Sequence, residues 1–160
     1  MKIKIYSIFA LILMIPILTY AQNSDKAIRE EGYTKIFNTR LYAKIPENFK
    51  VLNEKAPVIK KDGFTYIFLI EKKQNYFDQA KAFDYNIFNN GKSKVTEHYD
   101  LKIDAYPAKY MGVEKNGMKM HILIFGDKKF FITALGMNKK DDKENEKIIK
   151  NVLFNLKYSN

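Results

Sequence analysis

The chain has 160 residues, a formal net charge of +10 and no cysteine. This length suits one ordinary domain, and the absence of cysteine excludes a disulfide framework and any site built on a thiol. Twelve Phe, eleven Tyr and a hydrophobic content of 46% exclude general disorder and predict a packed core.

The first 21 residues have the layout of a secretory signal peptide. Residues 1–4 are short and basic, residues 5–18 are apolar, and Ala21 is a small residue before a cleavage point at Gln22. A retained anchor is the alternative, but the apolar run falls short of the roughly 20 residues that a bilayer requires. The sequence therefore predicts a periplasmic or secreted protein with no transmembrane segment after cleavage.

Loss of the signal peptide removes Lys2 and Lys4 and lowers the net charge from +10 to +8. A basic protein attracts anionic partners, which for an exported protein are envelope lipids or polysaccharides and not nucleic acid. The lysines are nevertheless spread over nearly every segment, often in pairs at predicted turns, as is typical of solvated loop tips. Attachment to an anionic surface is therefore an alternative to protein binding.

Short strands are predicted in the first half of the chain, after a polar tether at residues 22–32. They lie at residues 41–45, from Phe49 onward, at 56–60 and at 64–71. The Asp62-Gly63 pair predicts a hairpin between the last two. Residues 64–70 are aromatic or β-branched at nearly every position, which predicts a central strand covered on both faces.

The periodicity changes from strand-like to helical at Phe77. Apolar residues recur every three or four positions up to Phe88, and the cluster Asn89-Asn90-Gly91 is typical of a helix end. We therefore expect one amphipathic helix over residues 77–89. Residues 96–100 fit either a loop or the start of a strand.

The second half predicts an antiparallel meander and a terminal helix. The meander has three strands, the first at 101–114 with Pro107 as an interruption, the second at 118–125 and the third at 130–137. Asp141 and Glu144 form a capping-box-like pair at the start of the helix. The helix carries an apolar stripe that predicts packing on the sheet, formed by Ile148, Ile149, Val152, Leu153 and Leu156.

The chain contains only two histidines, His98 and His121. Alternation places His121 on the same strand face as Lys119, where it is either a general base or metal ligand, or a strand histidine bonded to a neighbour. The second interpretation is favoured because no other ligand stands at metal-site spacing. With no Gly-x-Ser-x-Gly elbow and no phosphate-binding loop, the sequence predicts no catalytic residue, cofactor or metal site.

Three segments resemble the PsbP-like superfamily, which also includes Mog and DcrB-like envelope proteins. They are Ile45-Pro46-Glu47-Asn48-Phe49, Tyr106-Pro107-Ala108-Lys109-Tyr110 and Phe131-Ile132-Thr133-Ala134-Leu135-Gly136. Phe49 stands where that group commonly has Trp, and Tyr106 where it commonly has Gly. The resemblance spans roughly residues 33–158 and implies one α/β (α+β) domain over residues 33–160. Such a domain is an antiparallel sheet meander flanked by helices, used for binding or assembly and not for catalysis.

The leading functional hypothesis is an exported, non-catalytic binding module that recognises another envelope protein. Its binding surface is predicted on an open sheet face around Tyr106, Tyr110, Lys119 and His121. The alternatives are attachment to anionic lipid or polysaccharide through the basic surface, and a small hydrolase that uses converging carboxylates with His121.

Overall fold

The computed structural model describes residues 26–52, 55–89 and 91–159. The predicted signal peptide and residues 22–25 of the predicted tether lie outside the described residues. The described chain starts with a short helical segment at residues 26–30. Close to that segment, Glu31 forms an ion pair with Lys157 near the other end of the chain, at 2.5 Å.

The described residues contain ten strands in two antiparallel sheets. A small sheet has the order β1-β2-β10, and a seven-stranded sheet has the order β3-β4-β5-β9-β8-β7-β6. The strands are β1 Thr34–Lys35, β2 Leu41–Ala43, β3 Lys50–Leu52, β4 Val58–Lys60, β5 Tyr66–Lys72, β6 Lys94–Ile103, β7 Tyr106–Lys115, β8 Met118–Gly126, β9 Phe131–Lys139 and β10 Lys157–Tyr158.

The predicted helix over residues 77–89 is in fact two elements. Helix α1 spans Tyr76–Ala82, and a 3₁₀ helix spans Tyr85–Phe88. The chain is extended at Asp84, whose side chain accepts a hydrogen bond from the backbone N–H of Asn86 and so caps the second element. A local hydrogen bond between a side chain and the backbone competes with continuation of the helix. The spacing of the apolar residues is helical on both sides of Asp84, so it does not reveal this break.

The meander is longer than expected and consists of four strands, β6 to β9. The ambiguous residues 96–100 belong to β6, and the turn before β7 lies at Asp104, which has a left-handed backbone at φ 54°. Pro107 lies inside β7 and does not interrupt it. It is tolerated because pairing with β8 begins only at Ala108, which leaves one side of Pro107 without a partner strand.

The terminal helix, α2, spans Lys143–Phe154 and packs on strands β8 and β9. Its cap is Asp142 and not the predicted Asp141, since the Asp142 side chain accepts a hydrogen bond from the backbone N–H of Asn145 at 3.0 Å. The apolar stripe behaves as predicted: Ile149, Val152 and Leu153 are buried. Gly136 on β9 makes the close approach possible, because a Cβ there would lie 2.3 Å from Cγ2 of Ile149.

The two faces of the large sheet have different environments. One, which we call the covered face, packs against α2 and the small sheet and forms the main core with Ile67, Leu123 and Ile132. On the opposite face, α1 and the 3₁₀ helix cover strands β6 to β8 and part of β9. Strands β3, β4 and β5 carry no helix on that opposite face within the described residues.

Candidate functional site

All four predicted binding residues lie on the covered face and not on an open one. Tyr110 and His121 are 0% exposed and Lys119 is 5% exposed, all beneath α2, while Tyr106 is half-buried and packs edge-on against Phe130. Alternation correctly placed Lys119 and His121 on one face, but it does not reveal which face a helix covers. The expected location on an open face is thereby corrected, and a role of these residues in binding stays a prediction.

Both ring nitrogens of His121 are used inside the protein. Nε2 lies 2.8 Å from Oδ1 of Asn138, and Nδ1 lies 2.7 Å from the hydroxyl of Tyr110. The Asn138 amide donates to the carbonyls of Lys139 and Asp142, so its Oδ1 must accept. Nε2 of His121 therefore carries the proton, and Nδ1 accepts from Tyr110.

This environment keeps His121 neutral. Burial lowers the pKa of His121 to about 4, with a further contribution from the charge of Lys119, although the hydrogen bond to Asn138 opposes the shift. Burial likewise raises the pKa of the Tyr110 phenol well above its usual range. A histidine with no surface and no free nitrogen is positioned as a structural group and not as a general base.

Four charged side chains form a cluster, the ionic cluster, beside His121. Lys119 contacts Glu146 of α2 at 2.5 Å and Glu97 of β6 at 3.4 Å, and Lys150 of α2 contacts the same two carboxylates at 3.3 and 2.6 Å. Gly112 leaves the space for Glu97, since a Cβ there would lie 2.9 Å from the Glu97 side chain. Two cations and two anions therefore compensate each other between α2 and the sheet, and the exposed Lys143 of α2 also contacts Glu146, at 3.1 Å.

The charges of the cluster are stabilised by these contacts. Burial opposes ionisation of Glu146, but hydrogen bonds from Lys119 and Lys143 outweigh it and lower the pKa of Glu146 to about 2. Burial opposes the charge of Lys119 as well, yet its bond to Glu146 raises the Lys119 pKa. The cluster is thus internally satisfied, and its role in the fold is to hold α2 on strands β6 and β8.

The accessible site is the apolar area on the opposite face, which we call the open patch. Strand register aligns Leu52, Val58, Phe68 and Leu135 in one row across β3, β4, β5 and β9, with Tyr66 in the next row. These five residues line a shallow groove of about 520 Å³. Leu52 is 45% exposed, and Ile70, farther along β5, is 36% exposed.

Sequence reasoning missed the open patch because β5 is apolar on both faces. Ile67 and Leu69 point into the core, whereas Tyr66, Phe68 and Ile70 are only partly buried. The expectation that this strand is covered on both faces is therefore wrong. An apolar side chain without an intramolecular partner is a signal of binding, but the sequence does not show which apolar side chains lack one.

Lysines surround the open patch. Lys50, Lys60, Lys72 and Lys139 occupy positions on the same face of β3, β4, β5 and β9, and Lys139 lies over the exposed Phe64 ring at 4.5 Å. On these four strands, no described position of this face holds a carboxylate. The patch is therefore apolar at its centre and basic at its rim.

The described residues contain neither a cluster of metal ligands nor a membrane-spanning helix. No group of three or more His, Asp or Glu side chains in this part of the chain is arranged to hold a metal ion. Among the described residues, no helix is both long enough and apolar enough to cross a bilayer.

Comparison with known proteins identifies the fold. No protein-family model matches the sequence, and no curated protein matches it either. Among solved structures, the cyanobacterial PsbP of Synechocystis sp. superposes with a TM-score of 0.56 at 8% identity, covering 79% of this chain and 92% of that one. A Bacteroides thetaiotaomicron protein superposes with a TM-score of 0.48 at 14% identity, covering 76% of this chain and 46% of that longer one. The chain thus has the PsbP-like fold that its sequence predicted, an α+β arrangement of antiparallel sheets and helices.

Proposed function

We propose that this PsbP-like protein is an exported, non-catalytic binding module that docks another envelope protein on the open patch. The observation that carries the proposal is the uncovered apolar row Leu52, Val58, Phe68 and Leu135 beside a half of the same face that α1 covers. Burial of such apolar surface against a partner is favourable by about 25 cal/mol per Å².

The polar groups on the covered face support binding over catalysis. His121 has no free nitrogen, and the carboxylates of Glu97 and Glu146 are compensated by Lys119 and Lys150. The hydrolase alternative depends on His121 with converging carboxylates, and His121 is fully buried while both carboxylates are held by lysines. Docking on the open patch, by contrast, requires only the removal of water and a partner surface of complementary shape.

Export is the part of the proposal that residues 1–21 support. Cleavage after Ala21 would release a mature protein that begins at Gln22. Mass measurement of the protein recovered from its native cells tests this directly. A mature mass that starts at Gln22 in an envelope or medium fraction is expected, and an intact chain in the cytoplasm would contradict it.

A photo-crosslinking experiment in living cells tests the docking surface. A photoreactive phenylalanine analogue replaces Phe68 on the open patch in one variant and Lys147, exposed on α2, in a matched control. We expect position 68 to give a crosslink to one protein, and this product to remain after a high-salt wash. Position 147 is expected to give no crosslinked protein. Equal products from both positions, or none from position 68, would overturn the proposal.

The same experiment separates protein docking from attachment to an anionic surface. Screening shortens electrostatic attraction to about 3 Å at 1 M salt, whereas a packed apolar contact is little affected. If the protein leaves the envelope fraction entirely when salt is raised, and position 68 yields no protein product, attachment to lipid or polysaccharide replaces the docking proposal.

A further inference from the structure

We infer that the partner docks through an acidic amphipathic helix that lies on the open patch alongside α1. This inference rests on the proposed function, and it adds the chemical character of the docking element. Three features of the described residues support it: the width of the patch, the helices already on that face, and the sign of the rim charges.

The width of the patch matches one helix. Strands lie about 4.8 Å apart, so the distance from β3 to β9 across β4 and β5 is about 14 Å. A helix with its side chains has a diameter of about 10 to 12 Å. One helix therefore covers the row from Leu52 to Leu135, and a second one does not fit beside it.

The covered half of the same face shows how this sheet binds a helix. Tyr76 and Ala80 of α1, spaced four residues apart, pack on Ile124 and Phe131 of strands β8 and β9. Leu135 borders the open patch and also contacts the cluster under the 3₁₀ helix. A partner helix with the same spacing of apolar residues continues this layer across β9 toward β3.

The charges of the rim select an acidic partner. Lys50, Lys60, Lys72 and Lys139 flank the apolar row, and within the described residues none of them has a carboxylate partner. On the helix-covered half of this face, by contrast, Lys109 is paired with Asp100 at 3.0 Å. Glu and Asp on both sides of a partner helix supply the missing negative charges, whereas a second copy of this chain would oppose lysine with lysine.

Synthetic helical peptides test the inference on the purified full-length gene product. Two labelled peptides of about 18 residues, or about 27 Å of helix, share one leucine stripe and carry either Glu or Lys at the flanking positions. Fluorescence anisotropy measures the affinity of each. We expect the Glu peptide to bind at least about tenfold more tightly than the Lys peptide, with the difference reduced at high salt.

Charge reversal on the protein provides the matched control. The double variant Lys60→Glu with Lys139→Glu changes the rim, while Lys44→Glu with Lys147→Glu makes the same change in net charge at exposed positions away from the open patch. The rim variant is expected to lose the preference for the Glu peptide, and the control variant to keep it. Thermal melting followed by circular dichroism confirms that both variants fold.

The outcomes distinguish this inference from the proposed function. Equal affinity for both peptides, or no binding of either, overturns the acidic helix, while protein crosslinking from position 68 still decides the docking surface independently. Binding to vesicles of anionic phosphatidylglycerol that the rim variant abolishes, without binding of the Glu peptide, would assign the rim to a membrane and overturn the inference as well.

Discussion

Titration of His121 predicts that the protein loses stability in mildly acidic solution. In the unfolded chain a histidine takes up a proton near pH 6.5, but burial delays protonation of His121 in the folded protein until about pH 4. Between these values the unfolded state holds more protons, so the free energy of unfolding falls as the pH falls through this window. The stability is fully present above pH 6.5.

The magnitude follows from the two pKa values. A shift from 6.5 to about 4 corresponds to a total of about 3 kcal/mol, of which about 2 kcal/mol is lost by pH 5. Glu146 acts in the same direction but in a lower window, since its pKa falls from 4.5 to about 2. Measurements between pH 7 and pH 5 therefore isolate the histidine from the ionic cluster.

Urea unfolding followed by circular dichroism at several pH values measures this slope. We compare the native protein with His121→Gln, which cannot titrate, and with His98→Gln, which removes the exposed histidine stacked on Tyr85. The slope is the readout, because His121→Gln also changes stability at every pH. The reasoning is refuted if the native protein is equally stable at pH 7 and pH 5, or if His121→Gln retains the native slope.

Three further substitutions test the packing of α2. Lys119→Met removes the most buried of the three lysines that contact Glu146, leaving Lys143 and Lys150, and should cost about 1 to 3 kcal/mol in urea unfolding, with part of the loss recovered in a double variant that also carries Glu146→Leu. Gly136→Ala places a Cβ against Ile149 and should cost about 1 to 3 kcal/mol in a thermal melt; a cost that stays the same in an Ile149→Ala background would contradict the contact. Asp142→Ala removes the helix cap and should cost about 1 kcal/mol, whereas the same change one residue earlier should be nearly neutral.

Local pattern was sufficient to predict much of the fold. The Asp62-Gly63 turn falls between paired strands, and the stripe of α2 is buried as its spacing requires. These features depend on residues close together in the chain, where turn chemistry and periodicity act directly. The break at Asp84 and the shift of the cap to Asp142 were missed because a single side-chain bond to the backbone decides each of them.

The candidate site could not be predicted in the same way. Alternation correctly grouped Lys119 with His121, but their burial depends on where α2 packs, and that depends on the space above Gly136. The open patch was missed for the opposite reason. Phe68 and Ile70 are apolar, as in a buried strand, but no helix of the described chain packs on them. Exposure is a property of the assembled layers and is not encoded in any one strand.

The two faces of β5 have different roles, and this difference affects which substitutions the protein can accept in evolution. Ile67 and Leu69 of that strand build the core, while Tyr66, Phe68 and Ile70 between them contribute little to it. Substitutions at the second set therefore change the exposed surface and have little effect on the main core. On the proposed docking surface, a preference for one partner could therefore change one side chain at a time, because the open patch and the main core lie on opposite sides of β5.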